Sequence, residues 1–97
     1  MLKRGHRGRV DANQKEIVDA LRKVGASVVS LSQIGDGCPD LLVGYRGRTL
    51  LLEVKDGTAA PSKRLLTADE ITFQTHWCGA NISNVGSVEE ALKAIGS

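Results

Sequence analysis

Residues 39–55 read Pro-Asp-Leu-Leu-Val-Gly-Tyr-Arg-Gly-Arg-Thr-Leu-Leu-Leu-Glu-Val-Lys, and no other stretch constrains the fold as tightly. Two short apolar runs flank Arg46-Gly47-Arg48-Thr49, the pattern of two strands joined by a tight glycine turn, which predicts a β-hairpin. If Arg46 and Gly47 are the two turn residues, Asp40 falls opposite Glu53. Directly opposed residues of an antiparallel pair have Cβ atoms about 4.5–5.5 Å apart, and the strand period puts Lys55 on the face of Glu53. A three-residue turn slips the register by one but leaves all three residues at one end of the hairpin.

Opposed like charges destabilise a sheet by a few tenths to about 1 kcal/mol when exposed, and by more when desolvated. Two arrangements answer that repulsion. In one, Lys55 bridges the acids within a solvated charge cluster. In the other, an oxygen-only pair of carboxylates holds a hard divalent cation, Mg²⁺ or Mn²⁺, whose remaining positions go to water and substrate phosphate. Lys55 is then a point charge able to orient water or stabilise charge developing on phosphorus. The hairpin geometry alone leaves both arrangements open.

A chain of 97 residues has room for one domain. Ile17, Leu21 and Val24, with Val18 beside them, recur at helical spacing; Asp11 and Gln14 fit a cap and Gly25 a left-handed stop, so a helix is expected at 12–24. Ser27–Leu31 is short, β-branched and bounded by glycines, which predicts a strand. Beyond the hairpin, a second helix is expected from near Thr67 to about Trp77, with Asp69 and Glu70 in its first turn. Gly79 ends it, residues 82–85 form a weak strand, and Ser87-x-x-Glu90 caps a last helix bearing Val88, Leu92 and Ile95. The order αβββαβα predicts an α/β domain with a mixed β-sheet flanked by helices. The expected division is a basic N-terminal arm at 1–10 and a single domain at 11–97.

Composition narrows the function classes. Hydrophobic residues are 41% and charged residues 25%, an ordinary globular balance. Aromatics are 3%, too few for stacking platforms that read single strands. Without a spanning apolar run or a signal-peptide core, the expectation is a soluble, cytoplasmic protein with no membrane partner. Cys38 and Cys78 make no disulfide framework, and His76 with Cys78 lacks a second pair to complete a zinc shell. Lys3, Arg4, Arg7 and Arg9 put four positive charges in the first ten residues, leaving −2 for the rest of a chain of net charge +2. Such a cluster suits a polyanion such as DNA, and equally a solvated terminus. Lys63 and Arg64 present the same two alternatives, a hold on a DNA strand or a solvated turn. Arg46 and Arg48 lie at the hairpin end away from the acids, and His6 and His76 have no nucleophile or carboxylate partner. No P-loop and no G-x-S-x-G elbow is present.

Pro39-Asp40, twelve intervening residues, then Glu53-Val54-Lys55 resembles the PD-(D/E)xK nuclease signature, and the order of elements is similar to that superfamily's restriction-endonuclease-like core. The surrounding Asp36-Gly37-Cys38-Pro39-Asp40, the hairpin, and Leu66-Thr67-Ala68-Asp69-Glu70 resemble the VRR-Nuc branch, the virus-type replication-repair nucleases. The resemblance covers nearly the whole chain. It implies a Mg²⁺- or Mn²⁺-dependent, structure-selective endodeoxyribonuclease, with Asp40, Glu53 and the Val54 backbone carbonyl as ligands and Lys55 as the catalytic lysine. It further implies a homodimer acting on branched DNA such as four-way (Holliday) junctions, in a phage or bacterial setting. Glu16, on the flank of the first helix's stripe, is either an outer-shell contributor or a surface residue paired with lysine. The family commonly places Gln three residues after the Ser or Thr that opens the second helix. Glu70 stands there, with Gln74 one turn later: Gln74 substitutes, Glu70 adds a charge to the site, or both are exposed. A DNA-binding module that keeps the fold without turnover is the alternative function, and a third is an interaction protein whose acidic hairpin end docks a basic partner.

Overall fold

The structure is a computed structural model, which describes residues 3–60, 62 and 64–97, with side chains described from residue 13 onward except those of 61 and 63. The elements in order are α1 (Lys3–Lys23), β1 (Ser27–Ser30), β2 (Leu41–Tyr45), β3 (Arg48–Val54), α2 (Ala68–His76), β4 (Ile82–Val85) and α3 (Val88–Ile95). They form an α/β fold around one four-stranded mixed sheet of strand order β1-β2-β3-β4.

The hairpin forms in the expected register. Tyr45 pairs with Arg48 and Leu41 with Leu52, so Arg46 and Gly47 are the two turn residues. Their φ values of +51° and +79° are both left-handed, which makes this a type I′ turn, whose twist matches that of the flanking strands. β1 pairs antiparallel with β2, and β4 runs parallel to β3, with α2 as the crossover between them.

Strand alternation sorts the side chains onto two faces. Leu41, Val43, Tyr45, Leu52 and Val54 face a core completed by Ile17 and Leu21 of α1, Val28 of β1, Val85 of β4, and Ala91 and Ile95 of α3. Each fully buried Leu or Ile contributes about 1.5–3 kcal/mol relative to exposure. On the other face, α2 buries none of its residues. It is held by its ends instead. Gly37 comes so close to the Asp69 carbonyl that any side chain at 37 would collide with it, and the Gln74 amide bonds that of Asn84 on β4.

The helix stops follow local chemistry. Gly25 takes a left-handed φ of +97° while Ala26 N–H donates back to the Leu21 carbonyl at 3.0 Å, ending α1. Thr67 and Glu70 form a reciprocal capping box on α2, and Ser87 caps α3, which Gly96 terminates.

Three expectations are corrected. The first helix opens at Lys3 rather than near 12, so residues 3–10 are drawn into α1 and Gln14 is not a capping partner of Asp11. Nothing in 3–11 forbids a helix, since it contains no proline, and its sequence carries no periodic apolar stripe by which the helix could be read. The first strand stops at Ser30 and the second helix at His76, each one residue short. Among the described residues no helix is long and apolar enough to cross a membrane.

Candidate active site at the open end of the hairpin

Past the last ladder pair, Leu41–Leu52, Pro39 lacks an N–H and cannot continue the pairing. Asp40 replaces the lost contact with its side chain: Oδ2 accepts from Val54 N–H at 2.8 Å, while its backbone carbonyl accepts from Leu31 N–H at 2.7 Å. The N–H and C=O of one strand residue face the same side, so the Val54 carbonyl also faces the flank on which Asp40 lies. On the other flank Lys55 N–H donates to the Val85 carbonyl at 2.8 Å, joining β3 to β4.

Glu53 points to the α2 side and is only 3% exposed. Its carboxyl meets that of Asp40, as the register required, and also that of Glu70. Burial, and then the charge of Asp40 with a smaller contribution from Glu70, push the Glu53 carboxyl up to about 9. One of its oxygens, Oε1, is buried and has no hydrogen-bond donor among the described residues. An ionised carboxylate can only accept, so this corner asks for a proton or a cation.

Lys55 supplies one positive charge from the edge. Its Nζ lies 2.6 Å from Glu70 Oε1 and 3.9 Å from Glu53 Oε2, so the closer partner is the acid on α2. The same Glu70 oxygen accepts from Thr67 N–H at 2.9 Å, which makes the capping box of α2 and the ion pair of Lys55 one structure. Burial alone would raise Glu70, but the bond from Lys55 and that from Thr67 outweigh it and hold this carboxyl below its usual range. Cys38, two residues before Asp40, is pushed up by burial and by the charges of Glu53 and Asp40.

The structure brings together Asp40, Glu53, Lys55 and Glu70, with the Val54 carbonyl beside them. It does not bring in Glu16, which is solvent-exposed on α1, nor Gln74, whose amide is engaged by Asn84. Arg64 departs from the expectation of a DNA contact. Its side chain is 7% exposed, and its guanidinium forms a two-pronged pair with Glu90 at 2.6 and 3.1 Å and donates to the Ala59 carbonyl, clamping the loop after β3 onto α3. The side chains of Lys3, Arg4, Arg7 and Arg9, and residue Lys63, lie outside the described residues. Asn13 was not foreseen: its Nδ2 donates to the Lys55 carbonyl at 2.9 Å, bracing the site from α1.

A hard cation fits the corner in part. Two carboxylates and a backbone carbonyl are the donor set it prefers, and the donorless Glu53 oxygen marks where positive charge is missing. Among the described residues no group of three or more acidic, His or Cys side chains is arranged to hold a metal ion, so an ion held by Asp40 and Glu53 would take its other positions from water and phosphate. Comparisons of the chain with protein-family models, with curated proteins and with solved structures return no match, so the functional reading stands on this geometry and on the sequence signature.

Proposed function

We propose that the chain is a small metal-dependent DNA endonuclease of the VRR-Nuc type, with a restriction-endonuclease-like core, hydrolysing phosphodiester bonds in branched DNA such as four-way junctions. The observation that carries this reading is the pair Asp40 and Glu53, juxtaposed at 3% exposure of Glu53 with one oxygen lacking a donor. Without metal the buried Glu53 carboxyl keeps its proton, and a cation that displaces that proton would let both acids ionise together.

Asp40, Glu53 and the Val54 carbonyl would hold Mg²⁺ or Mn²⁺. When bound, the ion neutralises phosphate and lowers the pKa of its water. The chain's own groups do the rest. Val54 N–H fixes the Asp40 carboxylate. Lys55, steered by Glu70, sets an ammonium at the mouth of the site, where it favours the extra negative charge that phosphorus acquires as water adds. Hydrolysis joins the water oxygen to phosphorus and breaks one ester P–O bond, leaving a phosphate on one end and a hydroxyl on the other. Duplex and junction backbones would be gathered by Lys3, Arg4, Arg7, Arg9 and Lys63. A homodimer would set two such sites on one junction; exposed Val29, Ile34, Ile71 and Trp77 offer apolar surface for a second copy to cover. A cytoplasmic setting, in a bacterium or a phage-infected cell, is part of the same reading.

The test is cleavage of labelled junctions, flaps and duplexes with Mg²⁺ or Mn²⁺ by the wild type, Asp40→Asn and Lys55→Ala. Metal-dependent cutting by the wild type with a loss of at least about 100-fold in each variant is expected, the scale of removing one charge-stabilising group. Full cutting by both variants rejects the assignment. A second reading, a DNA-binding module without turnover, draws on Lys55 lying nearer Glu70 than Glu53. It predicts salt-dependent DNA binding and no cutting with any divalent ion.

A further inference from the structure

The layer between α2 and the sheet is not closed. Glu70, Gln74 and Trp77 lie three or four residues apart, on the side of α2 that meets the sheet. Glu70 reaches Lys55, Gln74 reaches Asn84, and Trp77, at the helix end, reaches β2 and β3. There Leu42, Thr49, Leu50, Leu51, Trp77 and Ala80 line a half-open, almost wholly apolar cavity of about 360 Å³. A well-packed layer leaves no such gap. The indole beside it is nonetheless braced: Phe73 stacks on it with ring centres 5.4 Å apart, and Gly79 passes so close that a side chain at 79 would collide with it. Trp77 is still 44% exposed. A braced indole left open to solvent in an apolar wall has the build of a ligand pocket.

The occupant follows from where the cavity lies. Leu51 and Thr49 share the face of Glu53 on β3, about 7 and 13 Å from it along the strand. The helix side agrees, since Trp77 stands about 10 Å of helical rise beyond Glu70. The acidic corner and the cavity are thus two ends of one cleft, and a strand whose phosphate sits at the first brings its neighbouring bases to the second. A partner's helix, about 10–12 Å across, is too wide for this space, whereas one planar ring enters it. Bases stacked inside a duplex are out of reach, so the ligand is an unpaired base. With so little polar lining, the cavity registers that a base is present and not which one. A single indole is no platform along a strand, but it suffices for one base.

We propose that the cavity between Trp77 and the β2–β3 hairpin is a subsite for one unpaired nucleobase, close to the phosphate that the acidic corner would engage. This rests on the nuclease reading above and adds to it a source of structure selectivity. A flap or a branch point supplies the unpaired base, whereas an uninterrupted duplex supplies it only after unstacking. It also takes Trp77 out of the surface available to a second copy, leaving Val29, Ile34 and Ile71.

Trp77 is the chain's single tryptophan, so its fluorescence reports on the cavity directly. The test titrates oligothymidine, a flap and a fully paired duplex into Asp40→Asn with Mg²⁺, and repeats the flap with an abasic residue stepped through the nucleotides beside the branch. Oligothymidine and the flap should quench the emission, the duplex should not, and one abasic position should abolish the effect of the flap. In cleavage assays on the otherwise wild-type chain, Trp77→Ala should raise KM for flaps about tenfold, the scale of one base–aromatic contact, and leave duplex nicking unchanged. The abasic series changes only the DNA, so it holds whatever Trp77→Ala does to folding. Equal quenching by flap and duplex, or flap cleavage indifferent to every abasic position, overturns the subsite while the nuclease reading stands. Emission that shifts with protein concentration without DNA gives the cavity to a second copy and overturns it as well. A wild type that cuts none of these DNAs overturns the nuclease reading and this proposal together.

Discussion

Glu53 couples the site to pH. The folded chain keeps a proton on this carboxyl up to about 9, whereas an ordinary glutamate releases it near 4.5, so between those values the folded state binds the extra proton and raising the pH favours unfolding. In chelator, wild-type stability should fall with rising pH from about 5 to 9, by at most about 1.4 kcal/mol per pH unit for one proton. Glu53→Gln should remove that slope and be the more stable protein at pH 8, as denaturant titrations at several pH values will read. Because a bound cation displaces the proton, Mn²⁺ affinity should rise over the same interval. Arg46 carries a different strain. It holds a φ of +51° in the turn, a conformation asparagine adopts more readily, while its guanidinium sits 5.1 Å from the centre of the Tyr45 ring. Arg46→Asn should stabilise the fold by a few tenths to about 1 kcal/mol, after allowing for the lost ring contact.

At the scale of elements, α2 is the one most dependent on its ends. It buries no residue, so its position rests on the Thr67 cap, the Lys55–Glu70 ion pair, the close passage at Gly37 and the Gln74–Asn84 amide pair. Thr67→Ala removes the hydroxyl that accepts from Glu70 N–H at 3.1 Å and should cost about 1 kcal/mol in thermal or chemical melts. By loosening the turn that carries Glu70 it should also lower cleavage more than a purely structural loss would, measured against Ser87→Ala, which removes the cap on α3 without touching Glu70. Elements whose signals are local were legible in the sequence. The glycine turn determined the β2–β3 register, Gly25 the end of α1, and the Ser87-x-x-Glu90 box the start of α3. The start of α1 was not legible, because its first nine residues carry no periodic apolar signal. Arg64 was misplaced for another reason: its partner, Glu90, is 26 residues away, and a basic residue in a loop gives no sign that it will turn inward.

For the molecule as a whole, the sheet divides structure from chemistry. One face, packed with α1 and α3, holds the core, while the other presents Glu53 to α2 and leaves Val29 and Trp77 exposed. Leu52 is fully buried, and it neighbours Glu53 along the strand while pointing the opposite way. Leu52→Ala should cost about 2–5 kcal/mol, a large share of the 5–15 typical of a domain, and should depress melting temperature and cleavage together. Asp40→Asn, by contrast, should abolish cleavage while leaving the fold largely intact, and circular dichroism melts beside the cleavage assay separate the two. The Arg46–Gly47 turn stands at the opposite end of β2 and β3 from the acids, about five strand residues or 17 Å away. It is therefore the place to hang a fluorophore or surface tether: cargo attached at residue 46 would project away from the reacting end and report on the protein's encounters without obstructing them.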